Sequence, residues 1–275
     1  MNIDVAGSIN SGQVFLWDRY GNTWYGINGQ NVLAVGSSGR IRSYLGTGTD
    51  FFRRRDDMGV ILESISRDGR VKKAVKKYPG LRILDQDPFQ CLISFIISSN
   101  SNIQKIRSCL GKLVQRLGEK VEFEGRVFSL FPDADRIAGA TAGEIQGCGV
   151  GYRAGFVRDA ARMVRDGRLD IEEIKKADYY DAMEAILSVP GVGSKVADCV
   201  MLFSLDKLDA FPLDRWMLRI LEKYRGRFKP DTKTITKRQY GMLHEELVGY
   251  FGPYAGYAQQ FLFKMERDDY QKGWL

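Results

Sequence analysis

Lys195 follows the run Val189-Pro190-Gly191-Val192-Gly193, which cannot continue the apolar helical pattern ending near Leu187, and it opens a second apolar helical run. The stretch reads as helix, tight hairpin, helix. A lysine in the first turn of a helix meets the positive end of the macrodipole; dipole and partial burial both favour its neutral amine, the nucleophilic form. Gly191 and Gly193 free the turn backbone for close approach by another molecule. The N–H groups left unpaired at the start of the second helix suit a phosphate. Further along, Asp214 follows Pro212 and precedes the amphipathic run RWMLRIL, where it is placed to start another helix. An amine nucleophile and a carboxylate could thus meet beside a phosphate-binding turn. Taken singly, each feature has a plainer reading: a common helix connector, a solvated lysine, an N-cap.

Composition narrows the chemistry. The 275 residues carry a net charge of +7, which favours a polyanionic partner, and their 44% hydrophobic content is ample for a core. Cys91, Cys109, Cys148 and Cys199 are scattered without CxxC or zinc-ligand spacing, and His244 is the single histidine. A structural zinc or iron–sulfur site is therefore not expected, and one histidine cannot build a His-based triad or a histidine-ligated deaminase site. The work falls to Lys, Asp, Glu or Cys. With no signal-like leader and no apolar run of spanning length, the expectation is no membrane partner, reduced thiols and a cytoplasmic address, nucleoid-associated in a prokaryote or nuclear in a eukaryote.

From Val14 to about Tyr44, short aromatic and β-branched runs alternate with DRYGN, NGQN and SSGR, which predicts an antiparallel sheet of three or more strands. From Met58 the pattern turns helical and is expected to stay so to the end. Arg53 to Arg55 and the lysines between Lys72 and Lys77 read as solvated faces. Asp87 and Pro88 suit N-cap and N1 of a helix whose run FQCLISFIIS, apolar nearly all round, predicts burial. A polar knot from Ser98 to Asn102 ends it. The word GVGYR echoes PGVGSK, small residues leading to a functional side chain where a helix begins. In the C-terminal block, Gln259 and Phe263 lie four apart on one helical face. The fold class is α+β: an N-terminal antiparallel β-sheet domain with flanking helices over residues 1–80, then a helical domain over residues 81–275.

The words PGVGSKVADC, SSNSNI, GVGYRAGFV and GPYAGYAQQFLF, together with Lys195 and Asp214, resemble the helix-hairpin-helix DNA glycosylase superfamily, and within it the 8-oxoguanine DNA glycosylase/AP lyase branch, from about Ser11 to Phe263. The endonuclease III branch shares the hairpin but carries a clustered cysteine quartet that is missing from this sequence. The resemblance implies an active site in the cleft between the sheet domain and the helical domain, and it implies two activities. Lys195 attacks the sugar of an everted nucleotide and displaces the base, Asp214 stabilises the positive charge on the sugar, and β-elimination from the Schiff base nicks the strand. The base would lie between Cys199 and Phe263, with Gln259 on its edge and the carbonyl of Gly12, in SGQVFLW, accepting from N7–H. Asn100 would fill the vacated space, Lys105 and Arg153 would read the orphaned cytosine, Tyr152 would wedge into the stack, and Gly191 and Gly193 would bring backbone to phosphate.

No cofactor is implied beyond a monovalent or divalent cation that the hairpin turn could hold, and the implied partner is double-stranded DNA containing 8-oxoguanine, bound by a monomer. The sequence departs from the family at Lys105, where an arginine is usual, at Trp216, in place of a histidine on phosphate, and at Leu16, in place of an arginine. Losing the planar fork at Lys105 predicts weaker discrimination for cytosine opposite the lesion. The alternatives are a sibling glycosylase for another damaged base and a non-catalytic helix-hairpin-helix DNA-binding module.

Overall fold

The computed structural model describes residues 2–36, 38–46, 50–224, 226–228 and 235–272. Helix α1 (Val5–Ile9) is capped by Asp4, whose carboxylate accepts from the Gly7 N–H at 2.8 Å. It leads into a four-stranded antiparallel sheet in the order β1 (Trp17–Tyr20), β2 (Thr23–Asn28), β3 (Asn31–Val35), β4 (Ile41–Ser43). Trp17 pairs with Gly26 across β1 and β2, and its indole fills the space that a Cβ at Gly26 would need. Trp17 also stacks on Phe51 at 5.0 Å, within a core of Val5, Ile9, Leu33, Val35, Phe52 and Leu84.

Helices α2 (Met58–Ile65) and α3 (Gly69–Lys77) follow, then α4 (Pro88–Ser98) and α5 (Ile103–Leu117). Most starts are written locally: the side chains of Asp57, Asp68, Asp87 and Asn102 each accept from a first-turn N–H. Helix α4 is buried from Gln90 to Ile97, as its all-round apolar pattern predicts, and packs against α5, α8 (Ala154–Arg165) and α11 (Ser194–Ser204). Between α5 and α8 lie a hairpin, β5 (Lys120–Phe123) and β6 (Arg126–Ser129), and the short helices α6 (Ala134–Gly139) and α7 (Ala142–Ile145). A π turn (Gln146–Val150) and a 3-10 turn (Gly151–Arg153) then deliver Tyr152 and Arg153 to the surface. Helices α9 (Ile171–Lys176) and α10 (Tyr179–Leu187) precede α11, and α12 (Arg215–Glu222), α13 (Lys237–Phe251) and α14 (Ala255–Lys272) complete the fold.

Helix α14 packs on α2, α3, α12 and α13 and so returns the C-terminal block to the N-terminal segment. Gln260 Nε2 fastens that return by donating to the Ser11 carbonyl at 3.2 Å. Among the described residues, no helix is long and apolar enough to cross a membrane.

Two expectations need correction. The region after Met58 is not helical throughout, because β5 and β6 pair as an antiparallel hairpin. Their β-branched and aromatic residues flank Glu124 (φ +51°) and Gly125 (φ +71°), a two-residue turn whose left-handed backbone suits the twist of paired strands. Nor is Arg53 a solvated residue. It is 4% exposed, its Nε donates to Asp56 at 2.8 Å and it pairs with Asp206, while Arg54, Arg55 and Lys72, Lys73, Lys76 and Lys77 are exposed as expected. A buried guanidinium is tolerable only when its charge is matched, and two carboxylates do so here.

Candidate active site

Gly193 caps α11 without a side-chain hydrogen bond, so the helix begins with backbone donors free and Lys195 in its first turn. Lys195 is half-buried, with Nζ 5.2 Å from the centre of the Phe95 ring on α4, which itself stacks on Phe203 at 5.6 Å. One turn on, Cys199 is buried beside the Lys195 amine. Burial pushes the Cys199 thiol up to about 12 against the pull of the Lys195 charge, which keeps it protonated at neutral pH.

Asp214 caps α12. Its Oδ1 accepts from the N–H groups of Trp216 at 3.0 Å and Met217 at 2.9 Å. Burial raises the Asp214 carboxyl above its ordinary range, while these bonds and the nearby charges of Lys195 and Arg267 pull the other way. The fold thus brings Lys195 and Asp214 within electrostatic reach of each other.

The residues expected to hold a base gather around the same place. Gly12 has φ +90°, and a Cβ built there would lie 3.3 Å from Phe263 Cε1 and 2.7 Å from Arg267 Nη1. Phe263 and Gln259 project from one face of α14. Gln259 is buried; its Nε2 donates to the Pro212 carbonyl at 3.3 Å, and its buried Oε1 has no hydrogen-bond partner among the described residues.

A second group lies where α4 meets α5 and where α8 begins. Asn100 stands in the left-handed region at φ +48°, which Asn tolerates better than most residues. Arg153 Nε donates to the Ser99 carbonyl at 2.8 Å and Nη2 to the Asn100 carbonyl at 3.2 Å. Lys105 Nζ lies 3.4 Å from the position of a Cβ on Gly149. Tyr152 is 65% exposed, which removes core packing as its explanation; Arg153 Cζ sits 4.5 Å from the centre of its ring. Its ring meets Phe156 edge-on at 6.3 Å, and Phe156 occupies the space a Cβ on Gly191 would need. Tyr152, the Asn100 knot and the hairpin of Gly191 and Gly193 therefore belong to one surface. Trp216 contacts Tyr270 edge-on at 4.9 Å and has Arg219 Cζ at 5.4 Å from its ring.

Sequence reasoning missed a buried polar brace behind Lys195. Asp198, fully buried on α11, accepts from the hydroxyls of Tyr179 (2.8 Å) and Tyr240, and the Tyr240 oxygen accepts in turn from the Leu213 N–H at 3.1 Å. The helix bearing Lys195 is so tied to the segment bearing Asp214. His244 stacks on Tyr179 at 4.5 Å, with Nε2 3.8 Å from Asp198 Oδ1. Burial pushes Asp198 up to about 7 and His244 down to about 4.

A raised aspartate adds stability at low pH that is lost as pH climbs from 3.8 to about 7, whereas a lowered histidine loses stability as pH falls from 6.5 to about 4. Between about 4 and 6.5 the folded pair holds its proton on Asp198 and the unfolded chain holds one on His244, so the two slopes cancel. We expect His244→Gln to expose a stability that falls with rising pH across this window, by at most about 1.4 kcal/mol per pH unit. Asp198→Asn should expose the opposite slope. Urea unfolding at a series of pH values checks both signs, and a flat profile in both variants would reject the assignment.

Phe95 and Arg267 are the other site residues that sequence reasoning passed over. Phe95 looked like ordinary core, but Arg267 continues the four-residue spacing of Gln259 and Phe263, a signal that could have found it. Among the described residues, no group of three or more His, Cys, Asp and Glu side chains could hold a metal ion.

Comparison with known proteins identifies the family. The chain is 32% identical over 225 residues to N-glycosylase/DNA lyase OGG1 of Arabidopsis thaliana, covering 79% of this chain and 60% of that protein. It is 32% identical over 211 residues to a probable N-glycosylase/DNA lyase of Methanothermobacter thermautotrophicus, covering 68% and 64%. These matches span less than two thirds of the curated relatives. Among solved structures, the Clostridium acetobutylicum 8-oxoguanine glycosylase/lyase, in complex with double-stranded DNA containing cytosine opposite 8-oxoG, superposes with a TM-score of 0.84 at 32% identity, over 98% of this chain and 93% of that one. The family model for the HhH-GPD superfamily base excision DNA repair protein matches residues 93–243, more than half of the sequence. On that match and on the hairpin that presents Lys195 beside Asp214, the chain belongs to the HhH-GPD superfamily of base excision DNA repair proteins.

Proposed function

We propose that the chain is a bifunctional glycosylase/lyase that excises 8-oxoguanine from duplex DNA and nicks the strand it leaves abasic. The observation that carries this reading is the placement of Lys195 in the first turn of α11, within reach of Asp214, whose other charged neighbour, Arg267, lies against Gly12 and Phe263. The lone pair of Lys195 Nζ forms a bond to C1′ of the everted nucleotide as the C1′–N9 bond breaks; the C1′–N9 electron pair leaves with the base, which takes up a proton shed by Nζ. The Asp214 carboxylate stabilises the positive charge that develops on the sugar. The C1′–O4′ bond then breaks as the nitrogen lone pair forms C1′=N, O4′ takes the remaining Nζ proton, and loss of a C2′ proton from this Schiff base expels the 3′ phosphate. Asn100, Lys105, Tyr152 and Arg153 lie on one surface with the hairpin and offset the cost of eversion, a few kcal/mol.

Borohydride trapping on an 8-oxoguanine duplex tests the reading. A covalent protein–DNA adduct is expected with the wild type; cleavage of an alkylated-base duplex, with 8-oxoguanine left untouched and no adduct, would favour a sibling glycosylase.

Selectivity follows from Gly12. Guanine presents an acceptor at N7, whereas the oxidised base carries a hydrogen there, so a carbonyl aimed at N7 attracts one and repels the other. At Gly12, with φ +90°, a Cβ would be strained and would press on Phe263 and Arg267. Gly12→Ala is therefore expected to lower 8-oxoguanine excision by about tenfold or more, since relieving the strain and the clash must shift the carbonyl, and a misplacement of about 1 Å can cost roughly 10²-fold. Unchanged single-turnover excision with unchanged lesion preference would remove Gly12 from the pocket.

A further inference from the structure

Arg267 is a cation with too few partners. Among the described residues its buried Nη1 has no hydrogen-bond partner, and its one hydrogen bond runs from Nη2 to the Asn10 carbonyl at a long 3.5 Å. Burial pulls the group below the ordinary arginine range, with Asp214 and Asp268 opposing that pull from a distance. Arg53 shows what the same fold does with a purely structural buried arginine, for it has a carboxylate on each side. An unsatisfied buried guanidinium is costly unless something else completes it.

Its position says what could. Gln259, Phe263 and Arg267 form one stripe along α14, and Arg267 Cζ lies 5.7 Å from the centre of the Phe263 ring. Nη1 lies 2.7 Å from the point a Cβ of Gly12 would occupy. The free donor therefore stands beside the residue whose carbonyl is to meet N7–H, along the edge of the ring that stacks on the base. The atom bonded next to N7 in the lesion is C8, and its oxygen is an acceptor.

We propose that Arg267 is a second reader of the lesion, its Nη1–H donating to the C8 oxygen of 8-oxoguanine while the Gly12 carbonyl accepts from N7–H. The proposal rests on the 8-oxoguanine reading above and adds a contact to it. Guanine carries only C8–H at this position and would leave the donor unsatisfied, so the two contacts discriminate through both of the positions at which the bases differ. A missing acceptor opposite a buried donor is rejected more strongly than a missing methyl group, because the donor has already lost its water.

The test compares two substrates. Arg267→Leu and Arg267→Lys are assayed under single-turnover conditions on a duplex containing 8-oxoguanine and on the same duplex with a preformed abasic site. Arg267→Leu is expected to lower excision of the lesion about 10- to 100-fold, the range for one charge-assisted hydrogen bond. Incision of the abasic site, which has no C8 oxygen, should fall at least severalfold less than excision, its smaller loss reflecting the charge that Arg267 places near Asp214, and Arg267→Lys, which keeps that charge, should recover part of the excision. On non-cleavable 2′-fluoroarabino analogues, the preference of the wild type for 8-oxoguanine over guanine should shrink by a similar factor in Arg267→Leu. Equal losses on both substrates would assign Arg267 to phosphate, to Asp214 or to the fold, and no loss on either would leave it idle; each result overturns the proposal. A wild type that incises abasic DNA but leaves 8-oxoguanine intact would sink the substrate assignment itself, and the Arg267 contact with it.

Discussion

Lys195→Gln is expected to reduce excision of 8-oxoguanine by about 10³-fold or more and to abolish the borohydride-trapped adduct, because it removes the nucleophile and leaves only binding and charge stabilisation. Gln keeps much of the length and polarity of lysine, so contacts with Phe95 and Cys199 are largely retained and the fold should persist. What it cannot do is form an iminium. The variant should still bind the lesion duplex with near wild-type affinity, because the surface formed by the hairpin, Asn100, Tyr152 and Arg153 is untouched. Retained binding with lost chemistry separates the enzyme reading from a helix-hairpin-helix binding module, for which Lys195 would be dispensable. Gel mobility and single-turnover excision on the same preparation check both halves; excision at the wild-type rate would end the mechanism.

The legible parts of this molecule were those written locally. Helix starts at Asp87 and Asp214 followed from capping chemistry, burial of α4 from an unbroken apolar run, and the hairpin from two glycines and a proline between apolar helices. The pairing of Lys195 with Asp214 was legible for the same reason, since both stand at helix starts in one continuous stretch. What escaped depends on long-range neighbours. Arg53 looked solvated because Asp206, its counterion, lies far along the chain. Asp198 looked like one polar residue in a helix, and only the fold brings Tyr179, Tyr240 and His244 around it. The β5–β6 hairpin escaped because its strands are short and lie between strong helical patterns, although Glu124-Gly125 is a recognisable turn. Gly12 and Phe263 lie at opposite ends of the sequence, and their contact depends on α14 folding back on the N-terminal segment, fastened by Gln260.

Asp214→Asn should separate the two duties of that side chain. Asparagine caps a helix about as well as aspartate, so the bonds from the Trp216 and Met217 N–H groups can persist and α12 should start where it does now. The negative charge goes. An anionic group facing a sugar that becomes cationic in the transition state contributes more there than in the ground state, and its loss is expected to slow excision by about 10²- to 10³-fold with little change in duplex affinity. Stability should move the other way or not at all. Burial raises the Asp214 carboxyl, which means that folding disfavours its charged form at neutral pH, and a neutral amide escapes that penalty. A variant at least as stable as the wild type yet catalytically crippled is the mark of a charge kept for chemistry at the expense of the fold. Asp214→Ala, which loses cap and charge together, should be slower and also less stable by roughly 1 kcal/mol. Excision by the wild type should fall as pH drops through the raised carboxyl, and in Asp214→Asn that acid limb should disappear. If the acid limb survives in Asp214→Asn, the ionised carboxylate is some other residue and the assignment of Asp214 fails.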